Sequence, residues 1–277
     1  MKIISELCQN HNGDMEILEA MIKSASKHSS ILKIQTIKAD TLTNRSEYEN
    51  FRPFEGEYNR LKGLELSKED EKFFIEKCKE YNVESMTTIF TPKHAEYFND
   101  LGYTNLKLSG YSIPAFDYGN KLKDFNFKKL YFSASSLTLD EISLTIKNLR
   151  ELNIDFCLLG CTCVYPTPLE KANLQNIPFY KFYFNLDEIG YSDHSNPYED
   201  NLLTTKLAIF QGVDVIERHF TVLEKDDTRD GKVSVTADML SELKRFSKLH
   251  KYAQYNELNK FNEQQEFNHK YYRGRFN

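Results

Sequence analysis

Two histidines of the sequence stand where metal-binding chemistry is expected. His194 and His219 close two consecutive apolar runs, and the acidic residues Asp193 and Glu217 lie within two positions of them. If those runs are neighbouring parallel strands, the imidazoles lie side by side, and neutral imidazoles suit a divalent metal with open positions for water and substrate. A single histidine is more often a hydrogen-bonded loop residue. The matched pair therefore favours a metal site.

Two lysines interrupt otherwise apolar strand patterns. Lys33 and Lys107 would each lose several kcal/mol of solvation inside a sheet unless a negative charge meets them. One interpretation is an internal ion pair with a carboxylate. The other is that both lysines face a phosphorylated or carboxylated substrate, with the hydroxyls of Thr88 and Ser133 completing the anion site. The pattern alone leaves both interpretations open.

These residues need a scaffold, and the chain pattern predicts one. Short runs rich in Ile, Leu, Val and Phe alternate with segments of helical periodicity, which is typical of a parallel sheet with crossover helices. The eight predicted strands cover residues 3–8, 32–36, 84–89, 105–109, 129–133, 155–160, 188–192 and 213–217. Because eight strands close a barrel, we predict an α/β fold, a (β/α)8 TIM barrel, over residues 1–250.

Helix signals between the runs agree with this alternation. Thr138 and Glu141 form the spacing of a capping box. Thr91 precedes a proline at a predicted first helical turn, and Thr236 offers a similar cap to the last barrel helix.

The active site of such a barrel lies at the carboxyl ends of its strands. Every predicted strand ends in polar residues that become candidates on this rule. In strand order they are Glu6, Asn10 and His11; Lys33 and Gln35; Thr88; Lys107 and Ser109; Ser133; Cys163 and Tyr165; Asp193 and His194; and Glu217 and His219.

Composition excludes several other classes of protein. A formal net charge of −5 argues against a nucleic-acid surface, which needs a concentrated basic face. No apolar stretch reaches the roughly 20 residues of a membrane helix, and the first residues lack the pattern of a secretory signal, so we expect a cytoplasmic protein. Five cysteines, an odd and unevenly spaced set, fit reduced thiols, and the Cys161–Cys163 pair lacks a second pair at zinc spacing.

Two segments depart from the alternation. Residues 37–66 form a long polar and aromatic connection, and connections of that length are usually functional or mobile. Residues 251–277 form a polar, aromatic tail that we expect to pack on the outside of the barrel or on a neighbouring molecule.

Five motifs resemble the catalytic domain of the sialic acid synthase (N-acetylneuraminate synthase) family, which includes the legionaminic and pseudaminic acid synthases. The motifs are ELCQNHNG at 6–13, KIQT at 33–36, LLGCTCVYPTP at 158–168, GYSDH at 190–194 and VIERHFT at 215–221. The resemblance covers about residues 3–250, and each motif falls at a predicted strand end.

The resemblance implies that phosphoenolpyruvate condenses with an open-chain N-acetylated hexosamine, with water added at C2 and phosphate lost by C–O cleavage. It implies a divalent metal at His194 and His219, most often Mn²⁺ with Mg²⁺ or Co²⁺ as alternatives, which acts as a Lewis acid. The positions that match the family's phosphoenolpyruvate contacts are Lys33, Thr88, Lys107 and Ser133. The positions that match its sugar-side residues are Glu6, Tyr165 and Glu217, with Glu6 as a proton-transfer group.

The sequence departs from the family pattern at several positions. After Lys107 the expected acidic residue is missing, so either Ser109 or Ser112 takes the phosphate role. Cys163 replaces a usual asparagine or serine, and Asp230 stands in for a sugar-binding aspartate.

Family members usually continue into an antifreeze-like domain that supplies an arginine to the partner subunit, and Arg273 and Arg275 lie where its linker would begin. The alternatives are a separately encoded domain, substitution by the tail, or a changed sugar specificity. By analogy we expect a homodimer. Two other functions stay open: an octulosonate-phosphate-type synthase acting on a phosphorylated sugar, and a non-catalytic sugar-binding barrel.

Overall fold

Nine parallel strands and eleven helices alternate along the chain in a computed structural model that describes residues 1–115, 117–254 and 261–275. The strands are β1 (Lys2–Cys8), β2 (Ile31–Gln35), β3 (Glu84–Ile89), β4 (Asn105–Leu108), β5 (Lys129–Ser133), β6 (Phe156–Cys161), β7 (Ile189–Asp193), β8 (Val215–Phe220) and β9 (Ser234–Val235). The helices are α1 (Met15–Ala25), α2 (Phe54–Lys62), α3 (Lys68–Glu80), α4 (Ala95–Leu101), α5 (Tyr118–Leu122), α6 (Leu139–Glu151), α7 (Asn176–Tyr183), α8 (Pro197–Asp200), α9 (Leu203–Phe210), α10 (Ala237–Gln254) and α11 (Glu263–Tyr271).

The first eight strands close into a barrel. Each strand pairs in parallel with the next one along the chain, and β1 also pairs with β8, where Ile4 faces Glu217 and Glu6 faces His219. The predicted (β/α)8 TIM barrel is therefore confirmed. The eighth strand begins later than predicted, at Val215, and continues to Phe220, so Glu217 and His219 lie inside it. The two-residue strand β9 pairs in parallel with the end of β8, and this strand was not predicted.

Side-chain alternation along the strands builds the barrel interior in layers. A buried apolar layer fills its lower part: Ile4, Ile31, Met86, Tyr131, Cys157, Leu159 and Val215. Two residues further along most of these strands, the same inward face carries polar side chains, among them Glu6, Lys33, Thr88, Ser133 and Glu217. The opposite face of the sheet packs against the helices in a larger apolar core. A polar layer thus lies directly above a dry apolar floor, at the carboxyl ends of the strands.

The predicted helix caps are present. The Thr138 hydroxyl accepts a hydrogen bond from the backbone N–H of Glu141, and the Glu141 carboxylate accepts one from the backbone N–H of Thr138, which completes the capping box of α6. Thr91 accepts from the backbone N–H of Lys93, and the hydroxyl of Thr236 accepts from Met239 at the start of α10.

The connection over residues 37–66 is more ordered than predicted, because it contains α2. Glu57 and Arg60 form an ion pair across one turn of this helix, with N and O atoms 2.8 Å apart. Acidic residues in its first turn and basic residues in its last turn also favour the helix dipole. Helix α2 within this connection was not predicted from the sequence.

The packing predicted for the tail, on the outside of the barrel or on a neighbouring molecule, stays a prediction. All residues of 261–275 are exposed, including those of α11, while residues 255–260, 276 and 277 lie outside the described residues. Within the described ranges, no helix is both long and apolar enough to cross a membrane.

Candidate active site

A layer of paired charges lies at the barrel mouth. Lys33 forms a close ion pair with Glu6, donates a hydrogen bond to Thr88 Oγ1 at 3.0 Å, and has its Nζ 3.9 Å from Glu217 Oε2. Lys107 reaches across from β4 to form a close ion pair with Glu217 on β8. Two lysines and two glutamates therefore face one another in a single buried cluster. The lysines thus form the internal ion pairs that were one of the two predicted alternatives.

Burial and opposite charges compete within this cluster. Burial lowers the pKa of Lys33 to about 7, against the opposing effect of the Glu217 carboxylate. Burial alone would raise the pKa of Glu217, but the charges of Lys107 and Lys33 outweigh it and hold that pKa well below its ordinary value. Glu217 also accepts a hydrogen bond from Ser192 at 2.9 Å. The cluster therefore keeps a carboxylate ionised at the barrel mouth, beside cations that an anionic substrate could bind.

The predicted histidine pair lies beside the charged layer. The rings of His194 and His219 have centroids 5.2 Å apart. The Tyr165 ring lies 4.3 Å from the His194 ring at a tilt of 38°, with its hydroxyl 2.9 Å from Nε2. Burial, together with the charges of His219 and Lys107, places the pKa of His194 well below its ordinary value. The structure thus brings the two imidazoles and Tyr165 together at the mouth.

The residues around His219 fit a divalent cation. His219 is buried, and among the described residues its Nδ1 has no hydrogen-bond partner. That atom lies 3.4 Å from Oδ2 of Asp230, and the Cys8 thiol completes a group of ligand-type atoms within 4.8 Å of one another. An imidazole nitrogen that points at a carboxylate without bonding it suits a metal ligand, and a second imidazole lies beside it.

Sulfur and hydroxyl groups line the side of the mouth formed by β5 and β6. Cys161 and Cys163 hydrogen-bond to each other, and this bond lowers the pKa of the exposed Cys163 thiol. The Ser133 hydroxyl accepts from the backbone N–H of Ser135 at 3.2 Å. Ser133 and Cys163 are thus placed on one rim, as their positions after neighbouring strands predicted.

Of the two serines after β4, Ser109 is the better candidate for a substrate contact. The hydroxyl of Ser112 donates to the carbonyl of Ser109 at 2.8 Å and closes the turn, while the half-buried Ser109 hydroxyl bonds to Tyr111. Gly110 between them admits no larger residue, because a Cβ there would collide with the carbonyl oxygen of Ser135.

Helix α2 contributes a residue that the strand-end rule missed. Arg60 Nη1 donates to Oε1 of Gln9 at 2.7 Å, and Gln9 in turn bonds to Gln35 at 3.4 Å. Gln35 also donates to Glu6 at 3.4 Å, which joins α2 to the charged layer. The one sequence signal for Arg60 was its spacing from Glu57.

Two predicted substrate residues have all their polar side-chain atoms bound to protein. The Asn10 amide donates to the Phe220 carbonyl at 2.9 Å and accepts from Thr228 at 2.7 Å, so it ties the β1 turn to the segment after β8. Asp193 points out of the barrel and binds Arg218, with N and O atoms 2.7 Å apart. Both residues are buried, and their geometry favours a structural role. These contacts argue against the substrate-binding role predicted for Asn10 and Asp193.

His11 supports the same turn and gives a pH-dependent prediction. Its Nδ1 accepts a hydrogen bond from the backbone of Gly13 at 3.0 Å, and burial lowers its pKa from 6.5 to about 4. The unfolded chain therefore binds more protons than the folded chain between these values, so stability falls as pH falls through that window. Between pH 7 and pH 5, wild type is expected to lose about 2 kcal/mol more unfolding free energy than His11→Asn.

Urea unfolding of both proteins at the two pH values measures this difference. Equal losses in wild type and variant would show that His11 titrates normally in the folded protein.

Comparison with known proteins agrees with this geometry. The model of the NeuB family matches residues 21–257. The N,N'-diacetyllegionaminic acid synthase of Legionella pneumophila is 32% identical over 234 residues, which cover 79% of this chain and 64% of that protein. The enzyme of the same name from Campylobacter jejuni is 30% identical over 253 residues, 87% of this chain and 73% of that protein. The chain thus spans about two thirds to three quarters of the length of these relatives.

Solved structures support the fold. The sialic acid synthetase of Leptospira borgpetersenii, determined with citrate, superposes with a TM-score of 0.85 at 22% identity, covering 98% of this chain and 91% of that one. A truncated 3-deoxy-D-arabino-heptulosonate 7-phosphate synthase from Thermotoga maritima gives 0.68 at 14% identity, covering 91% and 87%.

The fold and the placement of its polar layer define a TIM-barrel protein with a site at the carboxyl ends of the strands. The chain belongs to the NeuB family, which confirms the family predicted from the five motifs.

Proposed function

We propose that this protein condenses phosphoenolpyruvate with an open-chain N-acetylated hexosamine, N-acetylmannosamine or a deoxy diacetamido derivative, to form a nonulosonic acid and phosphate. The observation that carries this proposal is the buried cluster of Lys33, Lys107, Glu6 and Glu217 beside the histidine pair. The names of the two legionaminic acid synthases that share its family point to the same chemistry.

Phosphoenolpyruvate would replace the carboxylates as the binding partner of the two lysines. Lys33 and Lys107 are held by Glu6 and Glu217, so each ammonium is already desolvated and oriented toward the barrel axis. The phosphate and carboxylate of phosphoenolpyruvate would take over these lysines, with the hydroxyls of Thr88, Ser109 and Ser133 as further donors. Orienting both anionic groups fixes the donor carbon relative to the aldehyde.

The acceptor would bind on the histidine side. Tyr165 lies over His194, and Asp230 lies beside His219, so both can contact a sugar at the mouth. Gln35 and Cys163 are candidates for its remaining polar contacts. Glu6, which accepts from the Cys8 backbone at 2.8 Å, is positioned to move a proton at the aldehyde oxygen.

A divalent metal would be held by His194 and His219, with Asp230 near them. When bound, it would supply Lewis-acid polarisation of the aldehyde, and the family resemblance predicts Mn²⁺, with Mg²⁺ or Co²⁺ as alternatives. In the reaction, C3 of phosphoenolpyruvate forms a bond to the aldehyde carbon, water adds at C2, and the C2–O bond to phosphate breaks. We place this reaction in the cytoplasm and predict a homodimer.

The test is phosphate release from phosphoenolpyruvate by purified protein with Mn²⁺. Release is expected only after addition of an N-acetylated mannosamine or a deoxy diacetamido hexosamine, and N-acetylglucosamine serves as the matched control sugar. Preference for a phosphorylated pentose would favour the octulosonate-phosphate-type reaction. Binding of phosphoenolpyruvate and Mn²⁺ by calorimetry without turnover of any sugar would favour a non-catalytic barrel.

A further inference from the structure

Cys8 occupies an unusual backbone position at the end of β1. The register between β1 and β2 shifts between Glu6 and Cys8, and Cys8 has a φ of 52°. A side chain in this left-handed region is strained, and glycine is the residue that adopts it at least cost. The irregularity turns the Cys8 side chain toward the segment after β8, and the residue is 3% exposed.

The thiol meets a carboxylate and an imidazole there. Cys8 Sγ lies 3.0 Å from Asp230 Oδ2, and the same carboxylate oxygen lies 3.4 Å from His219 Nδ1. The three ligand-type atoms of Cys8, His219 and Asp230 lie within 4.8 Å of one another. They come from β1, β8 and the loop before β9, so the closed barrel is what brings them together.

A hydrogen-bond network alone does not account for this cluster. The thiol can donate to Asp230, but His219 is 4% exposed and, among the described residues, its Nδ1 is left without a hydrogen-bond partner. A buried nitrogen lone pair or N–H without a partner is costly. A cation bound between nitrogen, carboxylate oxygen and sulfur would satisfy all three groups at once.

We propose that Cys8 is a thiolate ligand of the divalent metal assigned above to His194 and His219, on the side of His219 that faces Asp230, which makes this centre a mixed nitrogen, oxygen and sulfur site. The proposal rests on the proposed function only in that a divalent metal is the expected occupant. On binding, the S–H bond breaks, the sulfur forms a bond to the metal and the proton leaves to solvent. Sulfur ligation favours Co²⁺ and Zn²⁺ over Mn²⁺ and Mg²⁺ beyond the ordinary order of affinities.

The test uses the full chain, stripped of metal with a chelator and titrated with Co²⁺ alone. A thiolate ligand gives an intense ultraviolet charge-transfer band that nitrogen and oxygen ligands do not give. Wild type is expected to show this band at one equivalent of metal, as is the matched variant Cys78→Ala, which removes a buried thiol from the core between the sheet and the helices. Cys8→Gly, which suits the backbone at φ 52°, and Cys8→Ser are expected to lose it.

The affinities of Cys8→Gly for Co²⁺ and Mn²⁺ provide a second test, because a thiolate ligand strengthens Co²⁺ binding more than Mn²⁺ binding. Cys8→Gly is expected to weaken Co²⁺ binding by about 10- to 100-fold and to change Mn²⁺ binding by less than about threefold. It should also release about one proton fewer per bound Co²⁺.

A band that survives in Cys8→Gly, a band lost in a folded Cys78→Ala protein, or Co²⁺ bound without any band would overturn the proposal. Because neither phosphoenolpyruvate nor sugar is present, these results are independent of the synthase assay. Failure of the synthase with an intact charge-transfer band would contradict the function and leave the thiolate ligand established.

Discussion

Replacing His219 with alanine is expected to reduce metal-supported phosphate release at least about a thousandfold, because the metal contributes several kcal/mol of charge stabilisation. His219 is buried within the barrel, and its Nδ1 points at Asp230. The measurement is kcat/KM for phosphoenolpyruvate at saturating sugar, together with the Mn²⁺ affinity by calorimetry. Both are expected to fall together.

The matched control is His269→Ala, which removes an exposed imidazole on α11. It should retain full activity and metal affinity. A His219→Ala protein that melts near the wild-type temperature yet keeps more than about a tenth of the wild-type activity would exclude a metal-binding role for His219.

The second large effect is on stability. Arg218 and Asp193 are both 0% exposed, and the guanidinium of Arg218 also donates to the carbonyls of Ser195 and Val233. Removing one member of a buried ion pair leaves the other charge without a partner. Arg218→Met is therefore expected to lower the free energy of unfolding by about 3–5 kcal/mol.

Adding Asp193→Asn to Arg218→Met tests the cause of that loss. The neutral amide no longer needs a cation, so the double variant should recover part of the lost stability in urea unfolding. A double variant that is as unstable as the sum of the two single variants would mean that the pair acts through packing and not through its charges.

The barrel could be predicted from the sequence because its strands are short apolar runs at regular intervals. The helix caps at Thr91, Thr138 and Thr236 were equally readable, since they depend on local spacing. Helix α2 was missed because its residues are polar and its stability depends on the Glu57–Arg60 pair and on contacts that residue order does not show.

The candidate site was predictable to the extent that strand ends determine it. The contacts of Asp193 argue against the substrate role predicted for it: Ser192 and Glu217 face inward, so Asp193 and Arg218 face outward. This alternation of side chains could have been applied to the sequence. The direction of the Cys8 side chain could not be predicted from the sequence, because a break in strand register after Glu6 turns that side chain away from the regular alternation.

The two interpretations of the lysines need not exclude each other. Lys33 and Lys107 are ion-paired with Glu6 and Glu217, and a substrate anion could replace those carboxylates. The two carboxylates offset the charges of the two buried lysines, which limits the cost of burying them.

The most direct test of the proposed reaction follows the bridging oxygen of phosphoenolpyruvate. With ¹⁸O between C2 and phosphorus, Mn²⁺ and the amino sugar that supports turnover, mass spectrometry is expected to find the label in the released phosphate and none in the nonulosonic acid. This result requires cleavage of the C–O bond and entry of solvent oxygen at C2. Label retained in the sugar product, or labelled phosphate released equally without the amino sugar, would contradict the proposed condensation.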